Sequence, residues 1–419
     1  MNGRLKVLVS AYACSPYRGS EAAVGWGYVE ALAKMHDLWV VVEEEKFRAD
    51  IERYLRENPG ALPSVRFFFI AKKRNRLLRK VWPPSYYHYY RLWHEEALEL
   101  ARSLHAEVGF DIAHQLTMVG FREPGYLWKL DVPFVWGPVG GMGLFPWRFL
   151  GSVGAYGAAY FLGYNLYNVA QMRLQGRPRR AARAAASGLI AATDENRAGA
   201  ARYWGCPSTS LAEVGLPSVT ASAPTPRAPG EPLRIVWTGI HAPRKALNLG
   251  LEALARLPSD LRWELHVIGK GERTGAWIAL AERLGIRDRC TFHGWLERSA
   301  AMEVMAGAHA MLITSLRDLT ATVTIEALAL GLPIVCLDHC GFGSVVDASC
   351  GIKVAVETPG RAVEGLAAAL ERLVRDEPLR RQLGEGAVAR SKDFAWDVKA
   401  RAVDRVYRQR LRDREQQAA

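Results

Sequence analysis

Two carboxylates occupy a short segment, residues 315–335, which reads SLRDLTATVTIEALALGLPIV. Asp318 lies in a polar loop after a run of β-forming residues, and Glu326 follows it after seven intervening residues. The pattern predicts a strand, a loop and then a helix that begins near Thr322. An acid about one turn into such a helix is placed to accept hydrogen bonds from a ribose diol.

The start of this helix is a candidate diphosphate site. Backbone N–H groups at a helix N-terminus lack partners within the helix, and the helix dipole favours negative charge there. Gly331 is expected to end the helix, and Pro333 prevents its continuation. An ordinary strand–helix–strand unit with a capping threonine explains the same residues equally well, so both interpretations stay open. Further hydroxyl donors are available from Thr320, Thr322 and Thr324.

A second loop, in residues 237–248 (WTGIHAPRKALN), carries two adjacent cations. A predicted strand ends at Gly239, and Arg244 and Lys245 precede the next predicted helix. Fixed positive charges that face a departing diphosphate stabilise the negative charge that develops on it. Two solvated loop charges are the alternative interpretation.

The N-terminal half offers two further candidates. Residues 15–21 (SPYRGSE) connect the first predicted strand to a helix, and Gly19 would let this backbone approach a phosphate or a sugar closely. The loop is not a G-x-G-x-x-G fingerprint, and a simple turn with Ser20 as the helix cap fits it as well. His114 ends the strand pattern of residues 111–115, where a lone histidine is more often structural than functional.

Strand and helix patterns alternate along both halves of the chain. Residues 217–232 are rich in Pro, Ala, Ser and Thr and keep no hydrophobic period, so they predict a linker. The alternation predicts an α/β fold with two doubly wound, Rossmann-like domains, residues 1–216 and 233–396. In such sheets ligands bind at the carboxyl ends of the strands, where the loops described above lie.

The acid pair, taken together with Lys245, resembles the signature of glycosyltransferase family 4. In that family two acids separated by seven residues precede a Gly, a Pro and a strand, and Asp318 and Glu326 match these acids. The chain departs from the pattern at Ile240, where the family has Arg, and at Asp318, where it usually has Glu. Arg244 is a neighbouring source of the missing charge. The resemblance is specific over about residues 233–400 and loose before residue 215.

The resemblance implies a GT-B fold, in which two Rossmann-like domains face an inter-domain cleft. The N-terminal domain would take the acceptor, the C-terminal domain would take the donor, and a helix over about residues 397–419 would pack back onto the first domain. It also implies a retaining hexosyltransferase of polysaccharide or envelope biosynthesis. Such an enzyme uses a UDP- or GDP-sugar, acts on a glycan or lipid-linked acceptor, and needs no metal or other cofactor.

The resemblance assigns a role to each candidate residue. Glu326 would bind the donor ribose, and Asp318 would face the donor sugar, with His114 near the reacting sugar. Arg244 and Lys245 would stabilise the leaving diphosphate. The backbone that holds the donor would come from Gly19, Gly239, Gly269, Leu319, Thr320, Ala321 and Thr322. A non-catalytic GT-B-like subunit that binds a nucleotide or a partner is the alternative, and the departures at Ile240 and Asp318 favour it.

The composition of the chain limits the kinds of ligand and partner that are expected. The formal net charge of +12 favours anionic ligands or surfaces. The six cysteines are scattered without a C-x-x-C pair, so neither a disulfide framework nor a zinc site is expected, and a cytoplasmic location fits. No Asp-x-Asp sequence is present, so no metal is expected, and no nucleic-acid-binding module is recognised, so no nucleic-acid partner is expected.

Two segments could touch a membrane. Residues 72–93 combine Lys and Arg with Trp and Tyr, which suits anionic lipid headgroups at the inner face of the cell membrane. Single-stranded nucleic acid or a solvated loop against a packed helix would also fit. Residues 149–172 carry no charged residue, but their four glycines, two asparagines and one glutamine argue against a membrane span. A plain buried helix is favoured over a helical region that faces a membrane or lines the acceptor site.

Overall fold

The computed structural model describes residues 3–73, 85–217 and 222–418. The chain divides into two compact units. The first comprises Met1–Met142, Ala170–Pro217 and Trp396–Ala419, and the second comprises Gly143–Val169 and Ser218–Ala395.

Seven parallel strands lie in the described part of the first unit: β1 Lys6–Ala11, β2 Asp37–Glu43, β3 Val65–Ile70, β4 Ile112–Thr117, β5 Phe134–Val139, β6 Leu189–Ala191 and β7 Thr209–Ser210. Their order across the sheet is β3-β2-β1-β4-β5-β6-β7. The central strands β1, β4 and β5 are almost wholly buried, as expected for a parallel sheet covered on both faces.

The helices of this part of the chain are α1 Glu21–Ala33, α2 Glu44–Glu57, α3 Ser85–Val108, α4 Gly154–Leu174, α5 Gly176–Ala185 and α6 Asp194–Gly199. Among these, α4 begins in the second unit and ends in the first. Helices α2 and α5 each bury one apolar face.

The second unit repeats the alternation. Its parallel strands in the described residues are β8 Leu233–Thr238, β9 Trp263–Ile268, β10 Cys290–Gly294, β11 Ala310–Ile313, β12 Ile334–Leu337 and β13 Gly351–Val354, in the order β10-β9-β8-β11-β12-β13. Its helices are α7 Leu247–Leu254, α8 Thr274–Arg283, α9 Arg298–Ala306, α10 Thr322–Ala329, α11 Cys340–Val345, α12 Pro359–Arg375 and α13 Glu377–Ser391. The two parallel sheets with surrounding helices confirm the predicted α/β fold.

The last helix, α14 Trp396–Ala418, belongs to the first unit. Its first residue fills a space that two glycines leave open. A Cβ atom would lie 2.1 Å from the Trp396 indole at Gly27 and 2.6 Å from it at Gly215. Both positions therefore need glycine for the indole to pack as it does.

Residues 143–169 belong to the second unit, although the sequence analysis assigned them to the N-terminal domain. Phe145 and Phe161 stack with their ring centroids 4.1 Å apart and join the core that includes β8 and β9. The side-chain amide of Asn165 both accepts from and donates to the Phe145 backbone, at 2.9 and 2.8 Å. No sequence signal indicated this packing, because an apolar run does not show which sheet it covers.

The expectation of a buried helix in residues 149–172 is wrong for half of its surface. Helix α4 buries one stripe, but Tyr156 is 85% exposed and Leu166 and Tyr167 are also exposed. Among the described helices, none combines the length and the apolar character needed to cross a membrane.

The predicted linker, residues 217–232, spans the boundary between the two units at Pro217. Residues 218–221 lie outside the described part. The rest is tied to the second unit, because the Thr225 hydroxyl donates to the Ala306 carbonyl at 2.7 Å and Arg227 donates to the Val374 carbonyl at 2.9 Å. All six cysteines are buried.

Candidate functional site

A cluster of charged side chains in the second unit joins the loops that follow β8 and β11. Lys245 is buried, and its Nζ lies 2.5 Å from Oδ2 of Asp318. Arg244 places its Nη1 3.4 Å from the same oxygen. Strands β8 and β11 are neighbours in the sheet, so their carboxyl ends bring these loops together. The structure thus unites three residues that the sequence analysis drew from separate segments.

Hydrogen bonds fix the two loops to one another. The Thr314 hydroxyl accepts from the Trp237 indole N–H at 3.0 Å and donates to the Lys245 carbonyl at 2.7 Å. The backbone N–H of Leu316 donates to the Arg244 carbonyl at 2.8 Å. Because these bonds are buried or backbone-mediated, the Lys245 side chain is held toward Asp318 rather than left to sample solvent.

Helix α10 begins at Thr322, four residues after Asp318, and Ala321 before it provides no side-chain cap. Leu319 donates its backbone N–H to Oδ1 of Asp318 at 3.1 Å. Ala321, the residue before the helix, has φ +59°. This left-handed conformation is costly for alanine, and it turns the chain sharply into the helix. The geometry suits an anion at the helix start.

The three threonines differ in what they can offer a ligand. Thr322 is exposed, whereas Thr320 and Thr324 are buried. The Thr324 hydroxyl donates to the Thr320 carbonyl at 2.9 Å, so it braces the loop from inside. The expectation that Thr324 donates to a diphosphate is therefore replaced by a structural role.

Glu326 is 8% exposed and lies one turn into α10. Its Oε1 is 2.6 Å from Nη2 of Arg298, the first residue of α9. The Arg298 side chain is 75% exposed. Arg298 itself would lose little by returning to solvent, but the buried Glu326 carboxylate would then need other hydrogen-bond donors. The sequence analysis missed Arg298, because nothing in its local pattern links it to Glu326.

A close contact between loops surrounds Gly239 and Gly269. Gly269 has φ +118°, and a Cβ atom there would lie 2.0 Å from the Gly239 carbonyl oxygen. The backbone N–H of Gly269 donates to the Gly294 carbonyl at 2.8 Å. Glycine is required at position 269 by both conformation and space.

In the first unit, the structure places His114 in the core. Its Nδ1 lies 2.7 Å from the Tyr407 hydroxyl and its Nε2 lies 2.8 Å from the Gly137 carbonyl oxygen. Burial lowers the pKa of His114 to about 4, so the ring is neutral at physiological pH. Both nitrogens are already used, and we correct the expected contact with the reacting sugar to a structural role.

Gly19 lies in an exposed loop with open space at its Cβ position. Glu21, two residues later, is a feature that the sequence analysis quoted without a role. Its Oε1 accepts from the Val119 N–H at 3.1 Å, and its other oxygen is buried without a hydrogen-bond partner. Burial raises the pKa of Glu21 to about 7.

The segment predicted to touch a membrane, residues 72–93, is only partly described, because residues 74–84 lie outside the described part. The Lys72 Nζ lies 3.9 Å from the centroid of the Tyr86 ring, and Lys73 pairs with Glu96. Within each unit taken by itself, the described residues bring no three metal-ligating side chains close together.

The arrangement in the second unit can bind a diphosphate. Two cations and an uncapped helix start converge on one carboxylate, at the carboxyl ends of adjacent parallel strands. A buried acid one turn farther along the helix can accept hydrogen bonds from a diol. Together with two doubly wound α/β units, this defines a protein with the GT-B fold, the class of many nucleotide-sugar-dependent transferases.

Comparison with known proteins supports this class. Residues 221–390 match the family model described as glycosyl transferases group 1. The predicted resemblance to a glycosyltransferase is thereby confirmed over this region.

Two curated relatives show the range of names in the family. The lipopolysaccharide glucosyltransferase WaaG of Escherichia coli (strain K12) is 33% identical over 156 residues, 36% of this chain and 40% of that protein. A D-inositol 3-phosphate glycosyltransferase of Streptomyces bingchenggensis (strain BCW-1) is 30% identical over 250 residues, 54% of each chain. The chain thus spans about half the length of the curated relatives that it matches.

Solved structures share the whole fold. The lipopolysaccharide outer core galactosyltransferase WaaB superposes with a TM-score of 0.64 at 16% identity, covering 96% of this chain and 99% of that one. Anabaena HepE in complex with UDP superposes with a TM-score of 0.58 at 14% identity, covering 97% and 100%. At these identities the likeness shows the GT-B fold alone.

Proposed function

We propose that this protein is a retaining glycosyltransferase that moves a hexosyl unit from a UDP- or GDP-sugar to a glycan or lipid-linked acceptor in polysaccharide or envelope biosynthesis. The observation that carries the proposal is the cluster of Lys245, Arg244 and Asp318 beside the uncapped start of α10. The names of the relatives, and a fold neighbour solved with UDP, support the substrate class.

Donor binding exchanges partners at this cluster. In the free protein Asp318 pairs with both Lys245 and Arg244 and offsets only part of their charge. When a diphosphate enters, its oxygens accept hydrogen bonds from the two cations and from the N–H groups at the start of α10. Asp318 then faces the sugar. As the bond between the sugar and the diphosphate breaks, the same cations stabilise the charge that grows on the leaving group. No metal is required by this proposal.

The ribose contact falls to Glu326, and it requires Arg298 to move. Glu326 is nearly buried, so its carboxylate in the free protein needs the compensating charge of Arg298. Ribose hydroxyls would replace the arginine with two hydrogen bonds. Arg298, largely exposed, returns to solvent at little cost.

A panel of nucleotides tests the donor site. Thermal unfolding is measured with UDP, GDP, ADP, TDP and their common sugar conjugates, with EDTA present, on the wild type and on Glu326→Ala. A ligand that binds the native state raises the melting temperature by mass action. We expect one base to give a shift that the variant loses. No shift with any nucleotide at millimolar concentration would contradict the proposal.

A non-catalytic nucleotide-binding subunit is the second candidate. Ile240, which stands where family 4 has arginine, is 52% exposed and brings no charge to the loop. Sugar transfer separates the two candidates: a subunit of this kind would bind the nucleotide diphosphate but release no nucleotide from its sugar conjugate. The cytoplasmic location and a contact with the inner face of the membrane belong to the first proposal and await fractionation.

A further inference from the structure

A cavity of about 530 Å³ in the first unit has walls of one charge sign. Four of its nine lining residues are cations, and none is acidic: Arg91, Tyr126, Trp128, Lys129, Gln175, Gly176, Arg177, Pro178 and Arg180. All nine residues lie in the first unit, whereas the cluster around Lys245 lies in the second.

Two other surface cavities show that this composition is not general. One is lined by Lys353, Arg361 and Arg372 together with Glu357 and Glu364. The other is lined by Arg4 and Lys34 together with Glu30 and Asp37. In both, acids stand among the cations, so much of the positive charge is offset within the cavity itself.

Acidic residues behind the lining compensate only part of the positive charge of the first cavity. Glu123 is buried, and its Oε2 lies 2.9 Å from Nη2 of Arg177 and 3.8 Å from Nε of Arg91. A second acid, Glu95, lies close enough to act on Glu123 electrostatically. Lys129 and Arg180 have no ion pair in the described structure. Like charges in one cavity repel one another, so the arrangement favours a bound anion.

Aromatic rings and a helix start fix the geometry of the cavity. Arg177 donates to the Tyr126 hydroxyl at 2.8 Å, and the Lys129 Nζ lies 4.5 Å from the centroid of the same ring. The Trp128 indole donates to the Gly125 carbonyl at 3.0 Å, which holds its ring in place. Helix α5 begins at Gly176 without a side-chain cap, so its first N–H groups add positive potential to the same wall.

We propose that this cavity binds the phosphate or pyrophosphate group of an anionic ligand. Arginine presents paired N–H donors that match phosphate oxygens, and the helix start adds backbone donors. The cavity has the size of a small-molecule site. The site lies beyond the proposed transfer reaction, and binding alone tests it, so its failure would leave the donor site untouched.

The test is calorimetric titration of the full chain with inorganic pyrophosphate. The double variant Lys129→Ala/Arg180→Ala removes two cations that have no structural partner among acids. We expect it to bind pyrophosphate roughly tenfold or more weakly, because each charge-assisted contact contributes well over a factor of ten at full strength. Arg183→Ala is the matched control, since Arg183 is an exposed cation on the same helix that does not line the cavity.

Lys245→Ala separates this site from the donor site. If Lys245→Ala loses pyrophosphate binding and Lys129→Ala/Arg180→Ala keeps it, the anion binds in the second unit and the proposal is wrong. Equal loss in Arg183→Ala would show that only overall charge matters. Binding of a short oligoglutamate as tight as that of pyrophosphate would replace the phosphate ligand with an acidic peptide.

A second arm identifies the source of the phosphate. The protein is sedimented with vesicles of phosphatidylcholine, with and without phosphatidic acid. Binding that needs phosphatidic acid, that pyrophosphate displaces and that the double variant loses assigns a lipid headgroup. If the double variant loses pyrophosphate binding in calorimetry but binds vesicles as the wild type does, the ligand is a soluble phosphorylated molecule. If neither measurement responds to the double variant, the proposal fails.

Discussion

Replacing Lys245 with alanine should weaken nucleoside diphosphate binding without weakening nucleoside binding. The Lys245 side chain is 10% exposed and its Nζ lies 2.5 Å from Asp318, so its charge is shielded from water and held at the start of α10. In the proposed complex it donates to the diphosphate. A hydrogen bond between charged groups contributes about 1.5–3 kcal/mol, which corresponds to roughly 10- to 100-fold in affinity.

The loss of binding must be distinguished from a loss of stability of the unliganded protein. Removing Lys245 leaves Asp318 with the Leu319 N–H and with Arg244 at 3.4 Å, so the carboxylate is not stranded. Because Asp318 keeps these two partners and part of its exposure to solvent, we expect the free energy of unfolding to fall by no more than about 2 kcal/mol. The folded fraction at 25 °C should therefore stay close to one.

Calorimetric titration with UDP and with uridine, or with the base that the nucleotide panel selects, measures the effect. Lys392→Ala is the control, because Lys392 is an exposed cation of the second unit outside the cluster. The catalytic counterpart is nucleotide release from the sugar conjugate, for which loss of a fixed charge at the leaving group costs about 10²–10³-fold. Unchanged UDP affinity, or an equal loss for uridine, would refute the assignment of Lys245 to the diphosphate.

Three further predictions test the loops and the first unit. Gly269→Ala should lower the free energy of unfolding by about 1–3 kcal/mol in denaturant titration, because its Cβ would overlap a carbonyl oxygen, whereas Gly275→Ala has open space and should not destabilise. Burial raises the pKa of Glu21 to about 7, so the stability present at low pH is lost as pH rises from about 4 toward 7. Glu21→Gln should therefore stabilise the protein by up to about 3 kcal/mol at pH 8 and much less at pH 5, as thermal unfolding would show; equal melting temperatures at pH 8 would contradict this. Ile240→Arg should restore at least part of the UDP affinity that Arg244→Ala loses, and no rescue would mean that Arg244 does not supply the missing charge.

The donor side was predictable because its information is local. Lys245 and Asp318 each follow a strand within a few residues, and parallel strands bring their carboxyl ends to one edge of the sheet. The pattern of strands and helices therefore located both loops before any contact was known. Which loop hydroxyl faces a ligand was not predictable, and Thr324 turned inward to the Thr320 carbonyl.

The first unit was less predictable because its decisive contacts are distant in sequence. His114 is satisfied by Tyr407, which lies 293 residues away on the last helix. A strand-end histidine has the same local sequence whether or not such a partner arrives. The partner of Glu326, Arg298, is likewise on another helix and carries no local signal. Side-chain pairing across elements depends on packing that periodicity does not encode.

Residues 143–169, which the sequence analysis assigned to the N-terminal domain, also bear on the candidate donor site. The guanidinium of Arg317, the residue before Asp318, stacks over the ring of Tyr164 with its carbon 3.6 Å from the ring centroid. Tyr164 is held by α4, which is anchored through the Asn165–Phe145 hydrogen bonds and the packing of Phe161 in the core. The loop that carries Asp318 is therefore braced by residues outside the matched region 221–390. Two proteins with the same acid pair could then differ in how firmly that pair is positioned, since the brace lies outside the motif.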